Sequence, residues 1–383
     1  MSPLKAYLNA RTISLVASRR SVKGGIKMQQ TLQTFAKTEK TNKNGFTVIS
    51  NMVKSKSDLK FIDLFAGIGG IRLGFEKYGL DCVFSSEWDP HAQKTYKSNF
   101  GEVPAGDITK INAKEIPDFD ILTGGFPCQP FSSIGKREGF KHKIQGTLFF
   151  DIVRIIEEKK PKAFLLENVK GLVNHDNGNT FKVIMETLDN LGYKTYSKIL
   201  DSSDFGVPQY RKRIFIVGFN REFFGGDNNI IFNFPKASKN KVGIGKFVEK
   251  NVDGYTISKH LQDVYLFKKD DGRPLIIDET YNNPVNTLVS TYHKIQRITG
   301  IFVKDGPTGL RLLTEKECKA IMGFPPDFKV PVSRTQMYRQ FGNAVAVPVV
   351  EKVAGEIINT IGKKNSLNDK SENNAELTLE NIK

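Results

Sequence analysis

Phe61-Ile62-Asp63-Leu64-Phe65 followed by Ala66-Gly67-Ile68-Gly69-Gly70 is the stretch that decides the fold. The first five residues read as a short buried strand and the next five as a glycine-rich turn. Ile71, Phe75 and Tyr78 then recur at helical spacing, with Gly79 as a C-cap. A strand, a turn and a helix in this order set backbone N–H groups at the strand's carboxyl end, where nucleotide ligands bind in open α/β sheets. Glu87 ends the following strand, where a carboxylate can accept from ribose hydroxyls. Arg72 stands where a dinucleotide fingerprint wants its third glycine. A nicotinamide oxidoreductase is therefore disfavoured, and a nucleoside cofactor without pyrophosphate fits better.

Outward from this stretch, strands alternate with helices. Strands are expected at Cys82–Ser86, Asp120–Thr123, Ala163–Leu166, Tyr196–Leu200 and Arg213–Phe219, and helices at Pro90–Phe100, Leu148–Lys159 and Phe181–Leu191. This rhythm predicts an α/β fold with a mostly parallel sheet. It breaks after Asn220. Residues 221–305 are rich in Asn, Asp, Lys and Gly, with short apolar fragments at Ile230–Phe234, Val264–Phe267 and Thr287–Ser290, and read as a smaller, irregular domain. Helices resume at Thr314–Met322 and Ala346–Ile361, before a polar tail expected to fray. The division is thus an arm at 1–57, a large discontinuous domain at 58–220 and 306–362, an inserted domain at 221–305, and a tail at 363–383.

The net charge is +16 over 383 residues. Residues 1–60 hold 12 Lys/Arg against Glu39 and Asp58, so +10 of it lies there. Such an arm suits a polyanionic partner. No apolar run is long enough for a membrane span and no secretory block opens the chain, which points to the cytoplasm. Cys82, Cys128 and Cys318 stand far apart with no CxxC pair, so neither a disulfide framework nor a metal cluster is expected.

Cys128 differs from the other two in its setting. It lies in Gly124-Gly125-Phe126-Pro127-Cys128-Gln129-Pro130-Phe131-Ser132, a loop after a strand, where glycines allow close approach and prolines restrict the backbone beside the thiol. Glu167, in Leu165-Leu166-Glu167-Asn168-Val169, ends a buried strand and is a second reactive candidate.

In sequence order, DLFAGIGG (Asp63–Gly70), GFPCQPFS (Gly125–Ser132), ENV (Glu167–Val169), QYRKR (Gln209–Arg213), RLLTEKECKAIMGFP (Arg311–Pro325) and GNAVAVP (Gly342–Pro348) closely resemble the bacterial C5-cytosine DNA methyltransferases of restriction–modification systems. The likeness covers about 59–220 and 309–361. It implies a Rossmann-like, S-adenosylmethionine-dependent catalytic domain with a target-recognition domain at 221–305. By this resemblance, the cofactor contacts are Phe65, Ala66, Gly67, Ile68, Gly69, Gly70, Glu87, Trp88, Asp107, Ile108, Pro127, Asn343 and Ala344. Glu87 takes the ribose, and Trp88, Asp107 and Ile108 the adenine. Cys128 corresponds to the nucleophile, Glu167 to the partner of cytosine N3, and Arg211 and Arg213 to the pair orienting the target nucleotide.

The resemblance also implies DNA contacts by Gln129, Ser132, Ile134, Lys136, Gln209, Thr287 and Leu288. Some relatives carry a small polar residue at the position of Ile134; an apolar one can wedge into the base stack. The implied partners are duplex DNA, with a short GC-rich palindrome built on GCGC as the expected target, and a cognate restriction endonuclease acting in the same system. No metal is called for, and a monomer suffices. Two other readings remain open at this point: a cytosine-5 methyltransferase acting on RNA, and a non-catalytic DNA-binding repressor.

Overall fold

The computed structural model describes residues 57–127 and 148–380, with side chains as far as 364. The N-terminal arm and Cys128, Gln129, Ser132, Ile134 and Lys136 lie outside the described residues. The central sheet is built from β1 (Lys60–Leu64), β2 (Asp81–Ser86), β3 (Ile121–Gly125), β4 (Ala163–Val169), β5 (Tyr193–Asp201) and β6 (Lys212–Asn220). Its strand order is β2-β1-β3-β4-β6-β5. The neighbours β2/β1, β1/β3 and β3/β4 are parallel, while β6 runs antiparallel to both β4 and β5. One reversed strand in an otherwise parallel sheet agrees with the α/β, mostly parallel expectation.

Side chains alternate across the sheet as the strand pleat requires. Phe61, Ile121, Leu165 and Val217 are buried in one core with Ile71 and Phe75 from α1 (Gly70–Glu76) and Val350, Val353 and Ile357 from the C-terminal helix. Ile62, Leu122, Phe164, Leu166 and Ile216 are likewise buried, on the opposite face. Burying each such side chain contributes about 1.5–3 kcal/mol, which is why the apolar strands outweigh the polar loops between them. Helix α2 (Pro90–Phe100) starts on Pro90 with Asp89 as N-cap, its side chain accepting from His91 N at 2.9 Å, and stops at Gly101. Helices α3 (Leu148–Lys159) and α4 (Asn179–Asn190) lead into β4 and β5.

A second core gathers Ile244, Ile257, Val285, Leu288 and Ile301–Val303 with Leu313, Ile321, Phe324 and Phe341. It holds the two-stranded parallel pair β7 (Leu275–Ile277) and β8 (Ile301–Val303), α5 (Glu315–Met322) and α6 (Arg334–Asn343). Helix α5 opens on a capping box between Thr314 and Glu317.

Several local expectations change. Helix α1 ends at Glu76, and the chain reaches Gly79 (φ 78°) through a tight turn. Ile230 and Phe232, read as fragments of the irregular segment, pack into the core under the sheet. The C-terminal helix α7 (Val347–Glu380) carries on where a frayed tail was expected. Its distal sequence is polar but has no Gly or Pro after Gly362, so nothing interrupts the backbone ladder. Among the described residues no helix is long and apolar enough to cross a membrane.

Candidate active site

Strand order explains where the site lies. The chain goes from β1 to β2 on one side and then to β3 on the other, so the carboxyl ends of β1 and β3 flank a topological switch point. The loop of Phe65–Gly70 leaves β1 there, and Phe126-Pro127 leads from β3 toward Cys128.

The β1 loop is shaped by left-handed backbone at Phe65 (φ 55°), Gly67 (φ 55°) and Gly69 (φ 86°). Gly69 has a second reason to be glycine, because a methyl group there would overlap the Phe100 ring. Glu87 braces the loop from the end of β2: one carboxylate oxygen accepts from Gly67 N (2.8 Å) and the other from Asp89 N (2.8 Å). Burial pushes the Glu87 carboxyl up, and these backbone donors oppose the rise. Its neighbour Trp88 is 79% exposed, an indole face left open beside a buried carboxylate. Asp107 caps a short turn by accepting from Thr109 N and Oγ1, and those bonds hold its carboxyl low. Ile108 beside it is buried. Asn343 is exposed and Ala344 half-buried where α6 ends. These groups suit an adenosine: a carboxylate at the strand end, an open aromatic face and a polar cap for the base edge. Among the described residues no cluster of three or more His, Cys, Asp or Glu could hold a metal ion.

Arg72, flagged only as a missing glycine, is a buried hub. Its Nε donates to Glu76 (2.6 Å), Nη1 donates to the Tyr96 hydroxyl (3.0 Å) and pairs with Glu102, and the guanidinium lies over the Phe100 ring. It ties α1 to the end of α2 and the segment leading to Asp107.

The catalytic candidates meet at the edge of β4. Glu167 is the register partner of Gly125, three residues before Cys128. Because β6 is antiparallel to β4, its amino end returns to the same edge, and Arg213 pairs with Val169. Arg213 Nε lies 3.2 Å from a Glu167 carboxylate oxygen, with the two side chains 16% and 13% exposed. Burial raises the Glu167 carboxyl, while Arg213 and then Arg211 pull it down. Asn168 Nδ2 donates to Phe126 O at 2.9 Å, fastening the carboxylate strand to the β3 loop. Sequence reading quoted Asn168 within ENV and gave it no task.

Arg211 is placed differently from Arg213. It is buried and donates to the carbonyls of Leu288 (3.1 Å), Gly342 (2.8 Å) and Ala344 (2.7 Å). Gln209 and Leu288, expected at DNA, do not reach the surface. Gln209 donates to Ile321 O (3.1 Å) and accepts from Leu288 N (2.7 Å), so its polar groups are spent on internal backbone, and Leu288 fills the second core. Thr287, next to Leu288, is half-buried, its hydroxyl donating to Tyr210 O at 2.7 Å.

The geometry has a clear counterpart among known proteins. The family described as C-5 cytosine-specific DNA methylase matches residues 59–359. The chain is 63% identical over 301 residues to the type II methyltransferase M.MspI of Moraxella sp, covering 79% of this chain and 71% of that protein. It is 58% identical over 329 residues to the type II methyltransferase M.BsuFI of Bacillus subtilis, covering 86% and 77%. In fold it resembles the DNMT2 of Spodoptera frugiperda, with a TM-score of 0.63 at 23% identity over 79% of this chain and 99% of that one. With the six motifs in order along the sequence, the chain belongs to the C-5 cytosine-specific DNA methylases of the type II kind.

Proposed function

We propose that this chain transfers a methyl group from S-adenosylmethionine to C5 of a cytosine flipped out of a short duplex target, protecting host DNA beside a cognate restriction endonuclease. The observation that carries this reading is the Glu167–Arg213 pair on the strand edge facing Gly125, at the entrance to the Cys128 loop.

Bound adenosylmethionine supplies an electrophilic methyl group. The chain's own residues do the rest. Phe65–Gly70, Glu87, Trp88, Asp107, Ile108, Pro127, Asn343 and Ala344 bind and orient it. C5 of cytosine is a poor nucleophile until the ring is activated. The Cys128 thiolate adds to C6 while the Glu167 carboxyl, which burial pushes up, donates its proton to N3, and electron density moves to C5. C5 then takes the methyl group, with S-adenosylhomocysteine as the leaving group, and the N3 proton returns to Glu167 as the ring is restored. Loss of the C5 proton to a base expels the thiolate and restores the ring. Arg213 holds the Glu167 carboxyl and meets the target nucleotide. The base reaches this pocket only outside the stack, at a cost of a few kcal/mol recovered through contacts to the deformed duplex.

Residues 221–305 form the target-recognition domain in this reading, inserted into the catalytic domain of 58–220 and 306–362. Half-buried Thr287 and the loop residues Gln129, Ser132, Ile134 and Lys136 contact DNA, and a monomer acts on each site. The test is direct. Purified protein given labelled adenosylmethionine should label duplex DNA in preference to tRNA, and Cys128→Ser should label neither. Labelling of tRNA alone would contradict the reading.

A further inference from the structure

Gln209 and Arg211 stand two residues apart ahead of β6, and both grip the backbone of Leu288. Gln209 Oε1 accepts from Leu288 N, and Arg211 Nη1 donates to Leu288 O. The same guanidinium reaches the end of α6 through the carbonyls of Gly342 and Ala344. Gly342 presses on the recognition stretch so closely that an added methyl group would overlap the Ser290 backbone. At its other side α6 is tied to α2: Gln340 accepts from Thr95 Oγ1 (2.9 Å) and donates to His91 O (2.9 Å). Gln93 on α2 donates to the carbonyl of Glu87. One buried cation thus joins the strand start bearing Arg213, the stretch bearing Thr287, and the turn bearing Asn343. Its Nη donors already serve these carbonyls, and its buried Nε has no partner among the described residues.

We infer that Arg211 is a positioning residue that couples the adenosyl site to the DNA site, by holding the Asn343–Ala344 turn and the Leu288 stretch in one arrangement. This rests on the methyl-transfer function proposed above. Whichever ligand binds first orders the bridge the other needs, and by linkage each must strengthen the other by the same factor. A lysine at 211 keeps the charge but lacks the planar fork that spans three carbonyls.

The test titrates S-adenosylhomocysteine into the full-length protein, alone and with a duplex carrying the target mapped by bisulfite sequencing. Failure of the wild type to bind S-adenosylhomocysteine at all would sink the cofactor reading itself, before any variant is needed. In the wild type the duplex should tighten its binding by roughly five- to a hundredfold. In Arg211→Lys this factor should fall to about one, with the affinity measured without DNA within about threefold of wild type. Turnover at saturation should fall far less than in Arg213→Ala. Gly342→Ala, which leaves the guanidinium intact and wedges α6 from Ser290, should lower the factor as well and carries the test if Arg211→Lys does not fold. A wild-type factor of one, or an Arg211→Lys factor equal to wild type, would overturn the proposal.

Discussion

Glu167 sits between two opposing influences, burial that favours its neutral form and the Arg213 guanidinium that favours its charge. Replacing Arg213 with Ala removes the larger downward pull, so the carboxyl should hold its proton to higher pH, a shift readable by carboxyl-carbon NMR. Glu167→Gln keeps the shape but cannot release or take up a proton. It should lower saturated turnover by about a hundred- to ten-thousandfold. Binding of S-adenosylhomocysteine should stay within about twofold of wild type. The chain's single tryptophan, exposed Trp88, is the built-in fluorescent reporter for that binding. Asp63 offers a separate test beneath the cofactor loop. It is fully buried, takes a bond from Thr123 Oγ1 at 3.1 Å, and burial pushes its carboxyl up to about 7. A carboxyl raised on folding contributes stability that is whole below about 4 and lost as pH climbs through about 7. Wild type should therefore lose up to about 4 kcal/mol relative to Asp63→Asn across that range, measured by urea unfolding. At this scale the motifs named residues without revealing what each one touches. Glu167 and Arg213 were legible together, whereas Gln209 and Leu288 were assigned to DNA because a motif does not reveal that its side chains turn inward.

The reversed strand β6 matters most among the elements. Its run Ile214–Asn220 is buried throughout and reads the same in either direction, so the sequence announces a strand without its polarity. Yet only the reversed direction returns Arg213 to the carboxyl end of β4, beside Glu167. Helix α6 was unread for a different reason: Arg334-Thr335-Gln336-Met337-Tyr338-Arg339-Gln340-Phe341 offers few apolar positions, and Met337, Tyr338 and Phe341 bury against the second core only once the recognition stretch is folded beside them. The RLLTEKE segment shows a motif serving architecture. Arg311 is fully buried, bound through Nη1 and Nη2 to both oxygens of the equally buried Glu317 (2.9 and 2.8 Å) and through Nε to Asp305 (2.8 Å). Arg311→Ala leaves Glu317 charged and unpaired in the core and should cost about 3–5 kcal/mol in denaturant unfolding.

Across the molecule, the parallel α/β plan was readable because buried hydrophobicity, backbone freedom and helical spacing follow one another within the eighteen residues from Phe61 to Tyr78. The second core was not, since Ile244, Leu288 and Phe302 lie far apart in sequence and none belongs to a long periodic segment. The proposed chemistry joins these levels in one claim: the thiol of Cys128 and the carboxyl of Glu167 together methylate cytosine in a defined DNA sequence. The measurement that tests it most directly is bisulfite sequencing of DNA from methylation-deficient bacteria expressing the wild-type chain or Cys128→Ser. Cytosines in one short motif should resist conversion with the wild type alone, the variant's turnover being lower by more than about a thousandfold. Unprotected DNA from cells in which the soluble wild type binds S-adenosylhomocysteine, or equal protection by Cys128→Ser, would contradict the account.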